Sequence, residues 1–472
     1  MSAPTPGFVE VDPQLVRKLQ EIVGRERVIT NGADVDSMSK DCYWYSPVLK
    51  DRLEPRTASA VVRVHSVQEL GSTLSLAYRN DVPVTVRGGA TGNYGQCIPL
   101  RGGLVIDITG LDRILSVEDG VVTTEPGVRV INLERAVRAK GWELRCLPST
   151  WVKSTVSGFV CGGSGGIGSI TWGGLRDQGT IKRIKLMTME AEPREITLEE
   201  GDTLKAYHAY GTNGVITEVQ LRLAPARRWD QIIVTGPDWA AVTDFATRVA
   251  RDDSIPKRLV SLLEPIFGAS FKPLIRMLPA GHSIIWLEVD DAFTAALVAE
   301  ARQKGLSVPN VIAHHEPKRQ PMLMEYAWNH STLWMLKNHP GHTYLQFAMG
   351  PNFAEQAALL KERFHGRIHL HFEFVRSRGP SGEIGPVMAL LLPVVRYISE
   401  DDLREMIAYA GEIGIASNNP HTCYLEEAAR DASFPSKAQL KQAADPKGLL
   451  NPGKMRDFPV TPPMDGALPR FL

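Results

Sequence analysis

The alternation of apolar and polar positions divides the chain into two stretches of different grammar. Residues 12–24, DPQLVRKLQEIVG, are predicted as a helix capped by Asp12, entered at Pro13 and closed by Gly24. Residues 66–81, SVQELGSTLSLAYRND, predict another, with Ser66 as its cap. Between 82 and 223 short β-rich runs dominate: VPVTV, GLVIDI, GVVTTEPG and GVITEVQLRL. One helical segment, VINLERAVRAKG, interrupts them. The last run alternates in period two between Gly214 and Pro225, which marks a strand.

After Arg227 the pattern changes. QIIVTG, RLVSLLE and HSIIWLEVD read as strands, and DWAAVTDFATRVARDD and DAFTAALVAEARQKG as helices. A second round follows, with strands TYLQFAM, RIHLHFEFV and VMALLLPVV and helices NFAEQAALLKERFHG and SEDDLREMIAYAGEIG. Strand and helix in this order predict an α+β fold, whose second unit is a mainly antiparallel sheet covered by helices on one face. The expected division is 1–226 (core 55–226), 227–425, and a C-terminal segment 426–472 that returns to the first unit. Its DPKGLLNPGKM and PVTPPMDGALP are rich in proline and glycine.

Composition narrows the class. Lysine plus arginine and aspartate plus glutamate each number 53, so charge offers no case for nucleic acid or an anionic membrane as partner. The nine-residue apolar run VMALLLPVV falls far short of the roughly 20 residues that span a bilayer. MSAPTPGFVEVDP has neither a basic nor an apolar region of a signal peptide, so a cytoplasmic location is expected. Five cysteines (Cys42, Cys97, Cys146, Cys161, Cys423) form no CxxC pair, which argues against a disulfide framework or a thiolate metal site.

Two glycine-dense segments carry the chemistry. TVRGGATGNYG, 85–95, follows an apolar strand, and glycines there let backbone N–H groups converge on a bulky anion such as a phosphate. The second, STVSGFVCGGSGGIGSITWGG, 154–174, holds a GxGxxG at Gly163, Gly165 and Gly168. That match lacks the strand before it and the helix after it that a dinucleotide fingerprint requires, so nicotinamide binding is not the expected reading.

Taken with GTNGVITEVQLRL, these segments resemble the FAD-binding domain of the vanillyl-alcohol oxidase (PCMH-type) superfamily. Its branch of glycolate oxidase and D-lactate dehydrogenase is the most similar. The resemblance covers 55–226 and 445–455, and is weak over 227–440. It implies a PCMH-type FAD-binding domain of two subdomains plus a substrate (cap) domain. Arg87, Gly88, Gly89, Ala90, Thr91 and Gly92 would wrap the pyrophosphate. Pro148, Ser149, Thr155, Gly158, Gly162 and Gly163 would line the flavin ring and ribityl chain. Gly211, Val215 and Ile216 would complete the wall, and Asn451 and Lys454 would touch the flavin edge. Thr91 stands where covalent members carry a histidine, and Ser154 and Thr155 where they carry a cysteine, so noncovalent FAD is expected.

The branch's metal-binding histidine motifs are absent. In the corresponding region RIHLHFEFV, strand alternation sends Arg367, His369, His371 and Glu373 to one face. By resemblance that face would look into the substrate pocket, with His371 or His369 as base and Arg367 as partner to a substrate carboxylate. An ordinary solvated strand is the plain alternative. Two strand-spaced histidines are a thin ligand set, so no metal is expected. Further candidates are His421, Tyr344, Gln346, Trp328, Asn329 and His330, with Trp328 and Trp334 also typical packing residues. The implied activity is FAD-dependent oxidation of a hydroxyl-bearing carbon, foremost of a 2-hydroxy acid, with oxygen, a quinone, a cytochrome or an electron-transfer flavoprotein as acceptor. A phenolic or benzylic alcohol oxidase and a flavin-binding component of a larger dehydrogenase complex are the alternatives. A homo-oligomer is compatible with all of them.

Overall fold

The computed structural model describes residues 8–163, 165–315, 322–379, 382–428, 433–456, 458–459 and 469–472. Residues 460–468, the bulk of the proline-rich tail, lie outside the described residues.

The first predicted helix spans Pro13–Val23, with Asp12 accepting from the Gln14 N–H and Gly24 at φ 94° ending it. The second, Val67–Arg79, is capped by Ser66, which accepts from Glu69 N–H. It covers a four-stranded sheet in the order Val28–Ile29, Ala60–Arg63, Leu104–Asp107, Val84–Arg87, whose last three strands are parallel. A second sheet is antiparallel and centres on the eleven-residue strand Val215–Pro225, flanked by Val121–Thr124 and Ile181–Met187.

The chain enters a third sheet at Trp229–Gly236. This sheet has eight antiparallel strands. Helices Trp239–Arg251, Asp291–Gln303, Phe353–Arg363 and Glu400–Glu412 bury one of its faces through Phe245, Leu297, Leu360 and Leu403 against Ile232, Val260 and Ile285. The opposite face contributes Leu259, Leu263, Ile284 and Trp286 to a core shared with Leu133, Val156 and Ile216 of the second sheet's unit. That shared core sets the cap sheet over the glycine segments.

Three expected strands are each broken in two. TYLQFAM becomes His342–Tyr344 and Gln346–Ala348, RIHLHFEFV becomes Ile368–His369 and His371–Arg378, and VMALLLPVV becomes Ile384–Leu391 and Val394–Arg396. The first piece of the first two and the last piece of the third form a separate three-stranded sheet. Pro393 lies in one break, and the Leu345 N–H donates to its carbonyl. At the break in the second strand Glu264 grips Leu370, accepting its N–H at 2.7 Å and donating its own N–H to the Leu370 carbonyl at 3.0 Å.

The C-terminal DPKGLLNPGKM returns to the first sheet: the Val84 N–H donates to the Leu449 carbonyl and the Asn451 N–H to the Val84 carbonyl.

Candidate cofactor and donor site

Strand Val84–Arg87 delivers the chain into the loop Gly88–Gly92 at the edge of a cavity. Among the described residues, the backbone N–H groups of Gly88, Gly89, Ala90, Thr91 and Gly92 donate to no other protein group. Five consecutive unpaired donors lining a cavity, with Ala90 turned to φ 48°, form a concave anion cradle. Its other walls include Thr155, Gly158, Gly162, Gly211, Val215 and Ile216.

The glycines serve packing as well as access. A Cβ on Gly88 would sit 2.2 Å from Thr155 Oγ1, and one on Gly89 would sit 2.2 Å from the Lys153 carbonyl oxygen. The two glycine segments therefore meet backbone to backbone. At Gly162 the nearest atom to a Cβ is Gln96 Nε2, 4.0 Å away, so this glycine faces open space.

Three expected cofactor residues stand behind the cavity rather than on it. Arg87 donates through Nη1 to the Met38 and Lys40 carbonyls, tying down the preceding helix. Asn451 donates to the Gln96 and Tyr210 carbonyls, and Lys454, fully buried, donates to the Gly95 carbonyl. They brace the cavity's rim. Conversely, Asp41, Gln96, Cys97, Cys161 and Tyr210 line the cavity without being among the expected cofactor-binding residues. Burial raises the Asp41 carboxyl to about 6, against the pull of Lys454 and Arg87. Burial likewise pushes the Cys97 and Cys161 thiols up to about 12.

A larger cavity shares Thr91, Gly92, Gln96, Gly158 and Gly162 with the first. Pro148, Ser149 and Gly163 line it from the side of the second glycine segment. Trp328, Asn329, Gln346, Phe347, Val375 and Arg376 line it from the cap. Asp177 is the one carboxylate among its described lining residues, and Arg176 joins Arg376 as a cation. Burial raises the Asp177 carboxyl, opposed by the Gly174 N–H at 2.7 Å. No histidine is among the described residues lining either cavity.

The polar face expected of RIHLHFEFV does not exist as one surface, because the break at Leu370 separates its halves. Arg367 pairs with Asp402 and stacks on Phe364. His369 faces His342, beside Lys361 and His339, and is lowered to about 4 chiefly by burial. His371 is completely buried against Phe267, donating to or accepting from Glu373 at 2.8 Å. Glu373 is buried beside it and accepts from Ser261 Oγ at 2.7 Å. None of these four lines either cavity. His421 is buried between Ser46 Oγ at 2.7 Å and the Tyr344 carbonyl at 2.9 Å, and burial lowers it to about 4. Tyr344 lies one layer behind the larger cavity, accepting from Asn93.

The GxGxxG at 163–168 follows the helix Val156–Gly162 and opens only the short turn Ser169–Trp172. It lacks the strand that would precede a dinucleotide fingerprint. Among the described residues no group of three or more His, Cys, Asp or Glu could hold a metal ion, and no helix is long and apolar enough to cross a membrane.

An anion cradle between two sheets, roofed by an antiparallel cap, is the architecture of a flavoprotein. Residues 58–196 match the family described as the FAD binding domain. A D-lactate dehydrogenase of Anaerostipes hadrus is 27% identical over 232 residues, an alignment covering 46% of this chain and 46% of that one. The chain thus spans about half the length of that relative. A glycolate oxidase subunit of Bacillus subtilis is 28% identical over 84% of this chain and 88% of its own. The solved structure of p-cresol methylhydroxylase with substrate bound superposes with a TM-score of 0.65 at 14% identity, over 93% of this chain and 96% of that one. Residues 58–196 thus carry an FAD binding domain, and the fold of the chain is similar to that of p-cresol methylhydroxylase. The cradle fits the cofactor: free N–H groups without side chains in the way suit a diphosphate.

Proposed function

We propose that the protein is an FAD-dependent oxidoreductase that takes a hydride from a hydroxyl-bearing carbon, that of a 2-hydroxy acid. The observation that carries this reading is the junction of the two cavities at Thr91, Gly92, Gln96, Gly158 and Gly162. The first offers the diphosphate cradle, and the second opens from it under the cap. FAD, when bound, supplies the hydride-accepting ring.

This chain's residues supply the rest. Arg176 and Arg376, the latter also paired with Asp253, place two guanidinium groups at the larger cavity, and a guanidinium fork suits a substrate carboxylate. Asp177, whose proton affinity burial increases, is the group we assign to accept the substrate hydroxyl's proton. Asn329 and Gln346 are placed to orient polar substituents. The similarity to a D-lactate dehydrogenase and a glycolate oxidase subunit supports a 2-hydroxy acid as donor. Two cations in the cavity favour this over a phenolic alcohol.

The test is turnover with a dye acceptor across D-lactate, glycolate and D-2-hydroxyglutarate, set against vanillyl-type alcohols. Turnover of an acid, with Arg376→Met raising its KM, is the expected result. Turnover of the alcohols alone would reject the assignment.

A further inference from the structure

Trp328 is a bulky residue at φ 53° and ψ −138°, a conformation that side chains disfavour and that persists only where surroundings enforce it. The enforcing contact is visible. The Trp328 N–H donates to Glu373 Oε1 at 2.6 Å. Glu373 is 1% exposed, and its position is over-determined: Ser261 Oγ donates to Oε2 and His371 Nε2 meets Oε1. Trp328 is also the residue before helix Asn329–Asn338, so the same bond fixes where that helix starts.

The indole produced by this geometry is half-buried and lines the larger cavity. It closes down on the second glycine segment, where a Cβ on Gly165 would lie 3.0 Å from the ring. Trp328 thus bridges the space between the cap sheet and the flavin unit, at the cavity the donor would enter.

We propose that Trp328 is the specificity-determining wall of the donor cavity, excluding carboxylates that carry a bulky ring, and that Glu373 is the positioning residue that holds the wall in place. The assignment rests on the larger cavity being the donor site. It gives the buried His371–Glu373 pair a role in selectivity without contact to the reacting atoms.

The test measures dissociation constants of two unreactive probes, propionate and 3-phenylpropionate, from flavin difference spectra of the oxidised holoenzyme. Glycine adopts φ 53° without strain, so Trp328→Gly removes the indole and the need for its support together. In the wild type propionate should be preferred. Trp328→Gly should shift the preference toward 3-phenylpropionate by at least tenfold. Glu373→Gln should shift it in the same direction in the wild-type background and not in the Trp328→Gly background, which a merely structural glutamate would not do. An unchanged preference in folded, flavin-loaded Trp328→Gly overturns the wall, and equal effects of Glu373→Gln in both backgrounds overturn the positioning role. Failure of either probe to bind any form overturns the assignment of the cavity itself. Because the probes are not oxidised, a shifted preference without turnover of any 2-hydroxy acid would uphold the wall and reject only the proposed reaction.

Discussion

Asn93 donates its side-chain amide to the phenolic oxygen of Tyr344 at 2.8 Å, across 251 residues of sequence. Asn93 directly follows the cradle loop and lines the larger cavity, whereas Tyr344 sits fully buried in the cap. The bond therefore pins the cap to the loop at the cavity's edge. Tyr344→Phe leaves a buried amide without its acceptor, at a cost of about 1–3 kcal/mol. Urea unfolding should show that loss, together with a raised KM, while FAD occupancy stays near wild type.

Gly162 and Gly89 separate access from packing. A side chain at Gly89 collides with the Lys153 backbone, so Gly89→Ala should destabilise the fold whether or not flavin is present. At Gly162 a larger side chain projects toward the space both cavities share. Gly162→Phe should give protein with a wild-type circular dichroism spectrum and little absorbance at 450 nm. Full flavin occupancy in that variant would place the cofactor elsewhere.

FAD should be held noncovalently. Thr91 Oγ1 and Ser154 Oγ meet at 2.8 Å at the positions where linking side chains would stand. The nearby Cys97 and Cys161 thiols are pushed up to about 12 by burial and so hold back their nucleophilic thiolates. Acid precipitation should release all flavin to the supernatant, and a fluorescent band on a denaturing gel would contradict this.

Asp41 gives the flavin-free protein a pH dependence of definite sign. Its folded value, about 6, lies above the ordinary 3.8, so the native state holds the proton more tightly than the unfolded chain. The stability this contributes is full below about pH 4 and falls as pH rises to about 6. Above that it stays lost, by about 3 kcal/mol. Asp41→Asn should therefore stabilise the apo-protein at pH 7.5 and lose most of that advantage at pH 4, as read from urea midpoints at both values.

The cradle was legible in the sequence because close backbone approach leaves a compositional mark. Gly89 is needed by an approach of the Lys153 backbone that no other residue permits, and side chains at Gly88 or Gly92 would displace those of Thr155 or Gln96. The strands and helices of the cap were legible by period for the same local reason. The face of Arg367, His369, His371 and Glu373 was misread because alternation holds only while a strand continues. The break at Leu370 is enforced by Glu264, more than a hundred residues away in sequence, with no local signal besides Pro393 in a neighbouring strand. Asp41 carries no motif, and Trp328, though a candidate from the sequence, carries no sign there of the geometry that holds it. Their places in the cavities depend on burial and on a partner, Lys454 or Glu373, brought near only by the fold.

The most direct test of the central claim is anaerobic mixing of the holoenzyme with a 2-hydroxy acid, followed at 450 nm. The account predicts full bleaching of the flavin by D-lactate, glycolate or D-2-hydroxyglutarate, slowed when the hydrogen on the hydroxyl-bearing carbon is replaced by deuterium. A flavin that stays oxidised with every one of these acids, yet bleaches with dithionite, would contradict it.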